Sequence, residues 1–456
     1  MVINVSRPQI MVEPPGPKAR EWIEKDHQLL STSLTRTAPL VPAETWYVWI
    51  KDVDGNIYLD FGSGIAVVNV GHRHPKVVEA IKKVVDYLDH TNSCDFYNYL
   101  QVIYAERITK LTPGNFRKRV FFGNSGTEAV ECALKAVKWH ARGRPYIIGF
   151  VPGFHGRTMG SLSFTTTKLS ARRGFFPMMP GAVHVPFPNT YRCPFKGLDG
   201  DACVDAVLSY IEDFLFKHVV PPDEVAGLII EPILGAGGIV VAPDRFLQEL
   251  YKITRKYGIY FIDDEVQTGF GRTGKMWAIE YSGVVPDVVT LSKAIANGLP
   301  MGVCVAKAEL LEWDPDSHEN TLGANPIVVS AALAVLDVIE EERLVENAAK
   351  VGAYLMKRLK ELQEKYEPIG DVRGKGLMIG VEFVEDRRTK KPAVKLRNMV
   401  IDEAFKRGLI ILGAGISALR IQPPLVIKEE HVDIAIEILD EAIRAAISNW
   451  GKEVRK

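Results

Sequence analysis

Between residues 118 and 307 the chain alternates short, apolar, β-rich runs with helical stretches. No other feature constrains its fold as much. The strand candidates are Arg119–Phe122, Tyr146–Phe150, Val183–Val185, Val225–Ile230, Gly258–Ile262, Val288–Leu291 and Gly302–Ala306. Helical patterns at 127–142, 202–219 and 244–257 fall between them. Strands separated by helices are joined by crossovers, so the pattern predicts an α/β domain: a mainly parallel seven-stranded sheet flanked by helices. After Asn325-Pro326 the character changes. Long helical patterns at 326–341 and 344–366 lead into strand candidates at 370–373 and 377–383, a helix at 394–407, short runs at 409–412 and 419–422, and a final helix at 428–448. This reads as a smaller α+β domain. At the other end, Tyr47/Trp49 and Ile57/Leu59 alternate around Asp54-Gly55-Asn56, a hairpin signal. The expected division is residues 1–66 as an N-terminal arm and small-domain segment, 67–330 as the large domain, and 331–456 as the C-terminal small domain.

Composition narrows the partners. Lysine plus arginine equal aspartate plus glutamate, 56 each, so no basic excess points to nucleic acid or an anionic membrane. No apolar run reaches the roughly 18 residues that a membrane span needs. The first twenty residues carry prolines and no apolar signal core. The five cysteines (Cys94, Cys132, Cys193, Cys203, Cys304) are scattered, without a C-x-x-C pair. The expectation is therefore a cytoplasmic protein without disulfides, Cys193 and Cys203 included, and without a zinc site. No constellation of metal-ligating residues is evident, and His72/His74 reads as a turn feature.

The stretch Tyr260–Pro300 puts chemistry on this scaffold. One β-rich run ends in Asp263, Asp264 and Glu265; the next ends in Ser292-Lys293. In a parallel α/β sheet, ligands bind outside the carboxyl ends of the strands. Neighbouring strand ends would thus bring a carboxylate and a lysine to one crevice. Pyridoxal 5'-phosphate (PLP) requires that pair: a lysine for the Schiff base, and an acid that keeps the pyridine nitrogen protonated. Taken alone, an acid cluster at a strand end is more often a solvated loop.

Two further motifs add to the pair. Phe121 to Ala129 reads as a strand, a tight turn and a helix start. Ser125 and Glu128 fit a capping box, and the N–H groups of Gly126 and Thr127 suit a phosphate. Phe154-His155-Gly156-Arg157-Thr158 follows the next strand. There an aromatic could stack on a flat cofactor and an arginine could hold a carboxylate. Taken singly, each has a blander reading as a capped helix, core packing or a surface pair.

Together the motifs carry a resemblance. NSGTEA, FHGRT, EPILGAGG, IDDEVQTGFGRTG, LSKAIANGLPMG, NTLGANP and VRGKGLMIGVEF occur in the order seen in class III aminotransferases of PLP fold type I. The chain looks most like the ornithine and 4-aminobutyrate branch, from about Tyr47 to Val426. The resemblance implies a PLP-dependent aminotransferase that passes an amino group from an amino acid to a 2-oxo acid such as 2-oxoglutarate by a ping-pong route. It implies a homodimer with shared active sites. It also implies residue roles: Lys293 as the covalent lysine, Asp264 at the pyridine nitrogen, Gln267 at the ring hydroxyl, and Phe154 on the ring. Gly126 and Thr127 would hold the phosphate, and Thr321 the phosphate of the other subunit's cofactor. Arg157 and Arg373 resemble the carboxylate-binding arginines, and Ile65 an apolar residue lining the substrate pocket.

One position departs from the pattern. Where the ornithine and 4-aminobutyrate enzymes carry a gating glutamate, EPILGAGG has Ala236. Without the gate, Arg373 is expected to stay available for a carboxylate, or to swing out for substrates lacking one. The same position bears on a rival function, since some members are racemases or epimerases. A two-base racemase needs a second proton donor opposite Lys293, and the acid used in that subgroup lies at the place of Ala236. Transamination is thus favoured, although His155 or Tyr97 could take the second-base role.

Overall fold

The computed structural model describes residues 5–454. It falls into two compact units. One is Lys76–Glu346; the other joins the segment up to Pro75 with the segment from Asn347 onward.

The unit Lys76–Glu346 is built on a seven-stranded sheet. Its strands are β1 (Lys118–Gly123), β2 (Tyr146–Val151), β3 (Ala182–Pro186), β4 (Val225–Ile230), β5 (Tyr260–Asp264), β6 (Val288–Leu291) and β7 (Gly302–Lys307). All seven sequence candidates are strands. The order across the sheet is β1-β7-β6-β5-β4-β2-β3. The pairs β6/β5, β5/β4, β4/β2 and β2/β3 are parallel, whereas β7 runs antiparallel to both β6 and β1. The reversal follows from chain length. Only the short segment between Leu291 and Gly302 joins β6 to β7, and a parallel crossover needs a dozen residues or more.

Helix α1 (Gly126–His140) covers one face of the sheet. Ser125 caps it, its hydroxyl accepting from the Glu128 amide at 3.3 Å. Most of its buried side chains are small or β-branched, including Val130, Ala133, Ala136 and Val137. They form one core with Ile147, Ile229, Ile262, Val288 and Cys304. Each large aliphatic side chain buried there contributes roughly 1.5–3 kcal/mol. Helix α2 (Asp244–Tyr257) ends at Gly258, whose φ of 64° is left-handed. That cap delays the next strand from the expected Gly258 to Tyr260, because a left-handed residue ends a helix and cannot start a strand.

The disulfide expectation is corrected. Cys193 and Cys203 are bonded, with Cα atoms 5.7 Å apart. Just before Cys193 the chain turns, with Asn189 Oδ1 accepting from the amides of Tyr191 and Arg192. Cysteine spacing alone does not show such a turn, and the cysteine-based argument for a reducing compartment no longer holds. No helix among the described residues is long and apolar enough to cross a membrane.

The other unit holds two four-stranded sheets. One combines the expected hairpin, Trp49–Asp52 with Ile57–Asp60, with Pro42–Trp46 and Leu409–Ile410. The second is antiparallel, in the order Ile369–Lys375, Met378–Phe383, Ala418–Ile421, Leu412–Ala414.

Candidate active site

In the seven-stranded sheet, Ile262 and Asp264 alternate with Phe261 and Asp263 along β5, so the two pairs face opposite sides. Ile262 belongs to the α1 core, which puts Asp264 on the α1 side. Of the three consecutive acids, only Asp264 points that way. Asp263 is buried, with no hydrogen-bond partner on either oxygen. Burial, reinforced by the charges of Glu265 and Asp264, pushes its carboxyl well up. Glu265 is pushed up to about 7 by burial, against hydrogen bonds from Thr268 and from the Ile279 and Ala278 amides.

Asp264 is 3% exposed. Its Oδ1 accepts from the Val266 amide at 3.1 Å, and its Oδ2 lies 2.7 Å from His155 Nδ1. Burial acts to lower the His155 pKa, but the hydrogen bond and charge of Asp264, with the charge of Glu231, prevail and raise it. The Asp264 carboxylate thus stabilises the protonated form of this imidazole. His155 Nε2 has no partner. Glu231 ties the neighbouring segments together: one oxygen accepts from the Phe154 amide at 2.8 Å, the other from the Gly235 amide at 2.9 Å.

Lys293 follows β6, which pairs with β5 so that Thr290 lies opposite Asp264. Lys293 has a φ of 47°, a left-handed conformation that costs a non-glycine residue of order 1–3 kcal/mol. Ser292 Oγ donates to Met301 O at 2.7 Å and anchors the start of this turn.

Gly126 is where these segments converge. A Cβ there would lie 2.9 Å from Val266 Cγ1 and 3.3 Å from Ser292 Cβ. The start of α1, the turn after Asp264 and the residue before Lys293 are thus packed against one another. The Gly126 and Thr127 amides lie in the first turn of α1, where no carbonyl four residues back can accept from them. They and the helix dipole suit an anion. Gln267 is 9% exposed, and a Cβ on Gly235 would fall 1.9 Å from its Oε1. The hairpin carrying Ala236 therefore lies directly on Gln267. Phe154 is half-buried, and the Arg157 guanidinium sits 4.9 Å from its ring centroid. Thr321 is exposed. A phosphate cup, a buried acid backed by an imidazole and a strained lysine are the donor set that PLP needs, so the residues present fit that group.

In the other unit, Ile65 is 42% exposed and has a φ of 70°. Ser63, Gly64, Ile65 and Ala66 all have positive φ and form a left-handed turn. The antiparallel sheet sets Arg373 opposite Gly380, Gly380 opposite Arg420, and Arg420 opposite Leu412. Directly opposed residues share a face, so Arg373 and Arg420 flank Gly380 on one face. Their environments differ. Arg373 Nη1 is matched by Asp371 at 2.8 Å and Glu382 at 2.6 Å. Arg420 is 8% exposed, and no hydrogen bond or ion pair to its guanidinium occurs among the described residues. Burial pushes its pKa down to about 10, which leaves it charged at neutral pH. The sequence reading missed Arg420 because its motif, ALRIQPPL, reads as an ordinary strand; an arginine amid apolar residues was the available signal. Of the two alternative bases, Tyr97 is fully exposed and His155 is bonded to Asp264.

Comparisons with known proteins identify the family. Residues 33–443 match the family model "Aminotransferase class-III". The chain is 41% identical to the alanine/serine racemase of Pyrococcus horikoshii, over 100% of this chain and 96% of that protein. It is 35% identical to a probable 4-aminobutyrate aminotransferase of Bacillus subtilis, over 93% and 98%. Among solved structures, a PLP-bound amine transaminase from an uncultivated Pseudomonas species superposes with a TM-score of 0.84 at 31% identity, covering 92% of this chain and 99% of that one. The fold is that of the PLP fold type I transaminases, and PLP is the cofactor. The chain belongs to the class III aminotransferases.

Proposed function

We propose that this enzyme transfers an amino group from an amino acid to a 2-oxo acid such as 2-oxoglutarate by a ping-pong mechanism. The observation that carries the reading is the hairpin on Gln267. From Gly235 to Val241 it reads GAGGIVV, without a titratable side chain. It can hold the cofactor but cannot supply the second proton donor of a two-base racemase.

PLP supplies an electron sink for the charge that develops at the substrate Cα. The remaining roles belong to the chain. Asp264, with the His155 imidazole behind it, holds the proton on the pyridine nitrogen. Gly126 and Thr127 anchor the phosphate through the free amides of α1. Phe154 and the Ala236 hairpin exclude water from the ring, and Gln267 orients it. The Lys293 amine would move the proton at the substrate Cα, which is general acid–base catalysis by one group. We assign the substrate carboxylate to Arg420, because a buried guanidinium without a counter-ion is stabilised most by an incoming anion. Arg373 already has two acids. Thr321 is assigned to a partner subunit's cofactor and Ile65 to the substrate side chain. A homodimer belongs to the same proposal: Tyr99, Val102 and Ile103 present an exposed apolar stripe on helix Tyr99–Leu111 that suits a second copy.

A second reading, amino-acid racemisation, is favoured by the full-length similarity to the Pyrococcus horikoshii racemase. A half-reaction separates the two. PLP-loaded enzyme is mixed with single L-amino acids and ω-amines without an oxo acid, and cofactor absorbance and amino-acid chirality are followed together. Stoichiometric conversion to the pyridoxamine form with release of the oxo acid is expected. Accumulation of the D-enantiomer with the cofactor unchanged would replace transamination by racemisation.

A further inference from the structure

One cluster beside the phosphate cup has no role so far. Thr127 and Glu131 are four residues apart, on one face of α1. The segment from Gly156 to Ser161 wraps over that face. Glu131 Oε1 accepts from the Ser161 amide at 2.8 Å and from the Thr158 hydroxyl. Thr158 Oγ1 lies 2.8 Å from Ser161 Oγ and 3.1 Å from Thr127 Oγ1, and Ser161 Oγ lies 2.6 Å from Thr127 Oγ1. The approach is too close for side chains at two positions. A Cβ on Gly160 would meet Glu131 Oε2 at 2.3 Å, and one on Gly156 would meet Thr127 Oγ1 at 2.0 Å. Gly156 also has a φ of 130°, which favours glycine.

The protons of this cluster can be counted. A carboxylate only accepts, so the Thr158 proton is committed to Glu131, and Thr158 Oγ1 can only accept from its neighbours. Three hydroxyls then share two protons. When Ser161 donates across the 2.6 Å contact to Thr127 Oγ1, the Thr127 proton is left for an acceptor outside the cluster. Ser161 is fully buried, and its other acceptor, the carbonyl oxygen of the exposed Thr158, lies at 3.3 Å, farther than the 2.6 Å contact to Thr127.

We propose that Glu131 is a positioning residue for the cofactor phosphate: acting through Thr158 and Ser161, it turns the Thr127 hydroxyl into a donor aimed at the phosphate. The proposal rests on the reading that Gly126 and Thr127 hold that phosphate. Glu131 does not touch the ligand. Its carboxylate would repel a phosphate at close range, and the two hydroxyls stand between them. A glutamine at 131 keeps the shape but removes the charge, so its carbonyl oxygen is a weaker acceptor and no longer commits the Thr158 proton.

The test is a titration of the full-length chain, freed of cofactor, with PLP and separately with pyridoxal, which lacks the phosphate. Wild type, Glu131→Gln and Thr158→Val are compared by cofactor absorbance, with melting temperatures taken alongside. The expected result is a Kd for PLP raised at least tenfold in both variants, with pyridoxal binding and melting temperature unchanged. Equal weakening for PLP and pyridoxal would mean a merely structural role and overturn the proposal, as would unchanged PLP affinity in both variants. If wild type itself binds PLP no tighter than pyridoxal, the phosphate-cup reading fails first.

Discussion

Asp264, at the end of β5, is a buried acid with an imidazole built in behind it, whereas Arg420, on the antiparallel sheet of the other unit, is a buried cation with no anion beside it. Asp264 has His155 at 2.7 Å. Arg420 faces across Gly380 towards an arginine whose two acids are already taken. A charge paired inside the protein holds its state whether or not a ligand is present, as a permanent electrostatic tool must. A charge left unpaired destabilises the empty protein and is stabilised by an arriving anion. The first suits a cofactor that stays; the second suits a substrate that comes and goes.

The contrast can be broken at three points. The largest effect is expected at Asp264. Asp264→Asn keeps the shape and removes the charge, so turnover should fall by at least about a hundredfold while the fold survives. Steady-state kinetics with circular dichroism checks this. Activity near wild type would mean that the acid is structural.

The two arginines come next and should move in opposite ways. Arg373→Leu leaves Asp371 and Glu382 without their cation and should cost about 3–5 kcal/mol of stability. Arg420→Leu removes an uncompensated charge and should leave stability unchanged or improved. It should raise KM for carboxylate substrates by about tenfold to a hundredfold, the worth of a charge-assisted hydrogen bond. Urea unfolding and KM measured on both variants decide the matter, and an Arg420 variant that unfolds more easily would remove the contrast.

The smallest effect is the pH dependence of the built-in pair. The His155 pKa is raised in the folded state above its ordinary value of 6.5. Its stabilisation is therefore fully present below about pH 6.5 and is lost as pH rises through the folded-state value. The stability difference between wild type and His155→Gln should shrink across that range. A difference that grows with pH would reverse the sign of the assignment.

Much of the scaffold was legible along the chain. The seven strands, the helix after Ser125 and the helix Asp244–Tyr257 follow from runs of β-branched residues, a capping serine and a terminal glycine. Alternation along β5 even selects Asp264 among three acids once Ile262 is known to face the core. What stayed hidden depends on contacts between distant segments. His155 and Asp264 are 109 residues apart. Arg373 and Arg420 share a face only through the register of three strands. The Cys193–Cys203 bond needs a turn that cysteine spacing does not reveal. Nothing near Ile65 except Gly64 signals a left-handed turn.

By itself, then, the sequence determined the strand–helix alternation, the strand ends that carry Asp264 and Lys293, and the capped glycine turn before α1. These are short-range properties, set by periodicity and by which residues tolerate which backbone angles. Only the tertiary structure decided which buried charges are matched. A side chain's electrostatic state depends on its neighbours within a few ångströms, and strand register and packing bring those neighbours from elsewhere in the chain.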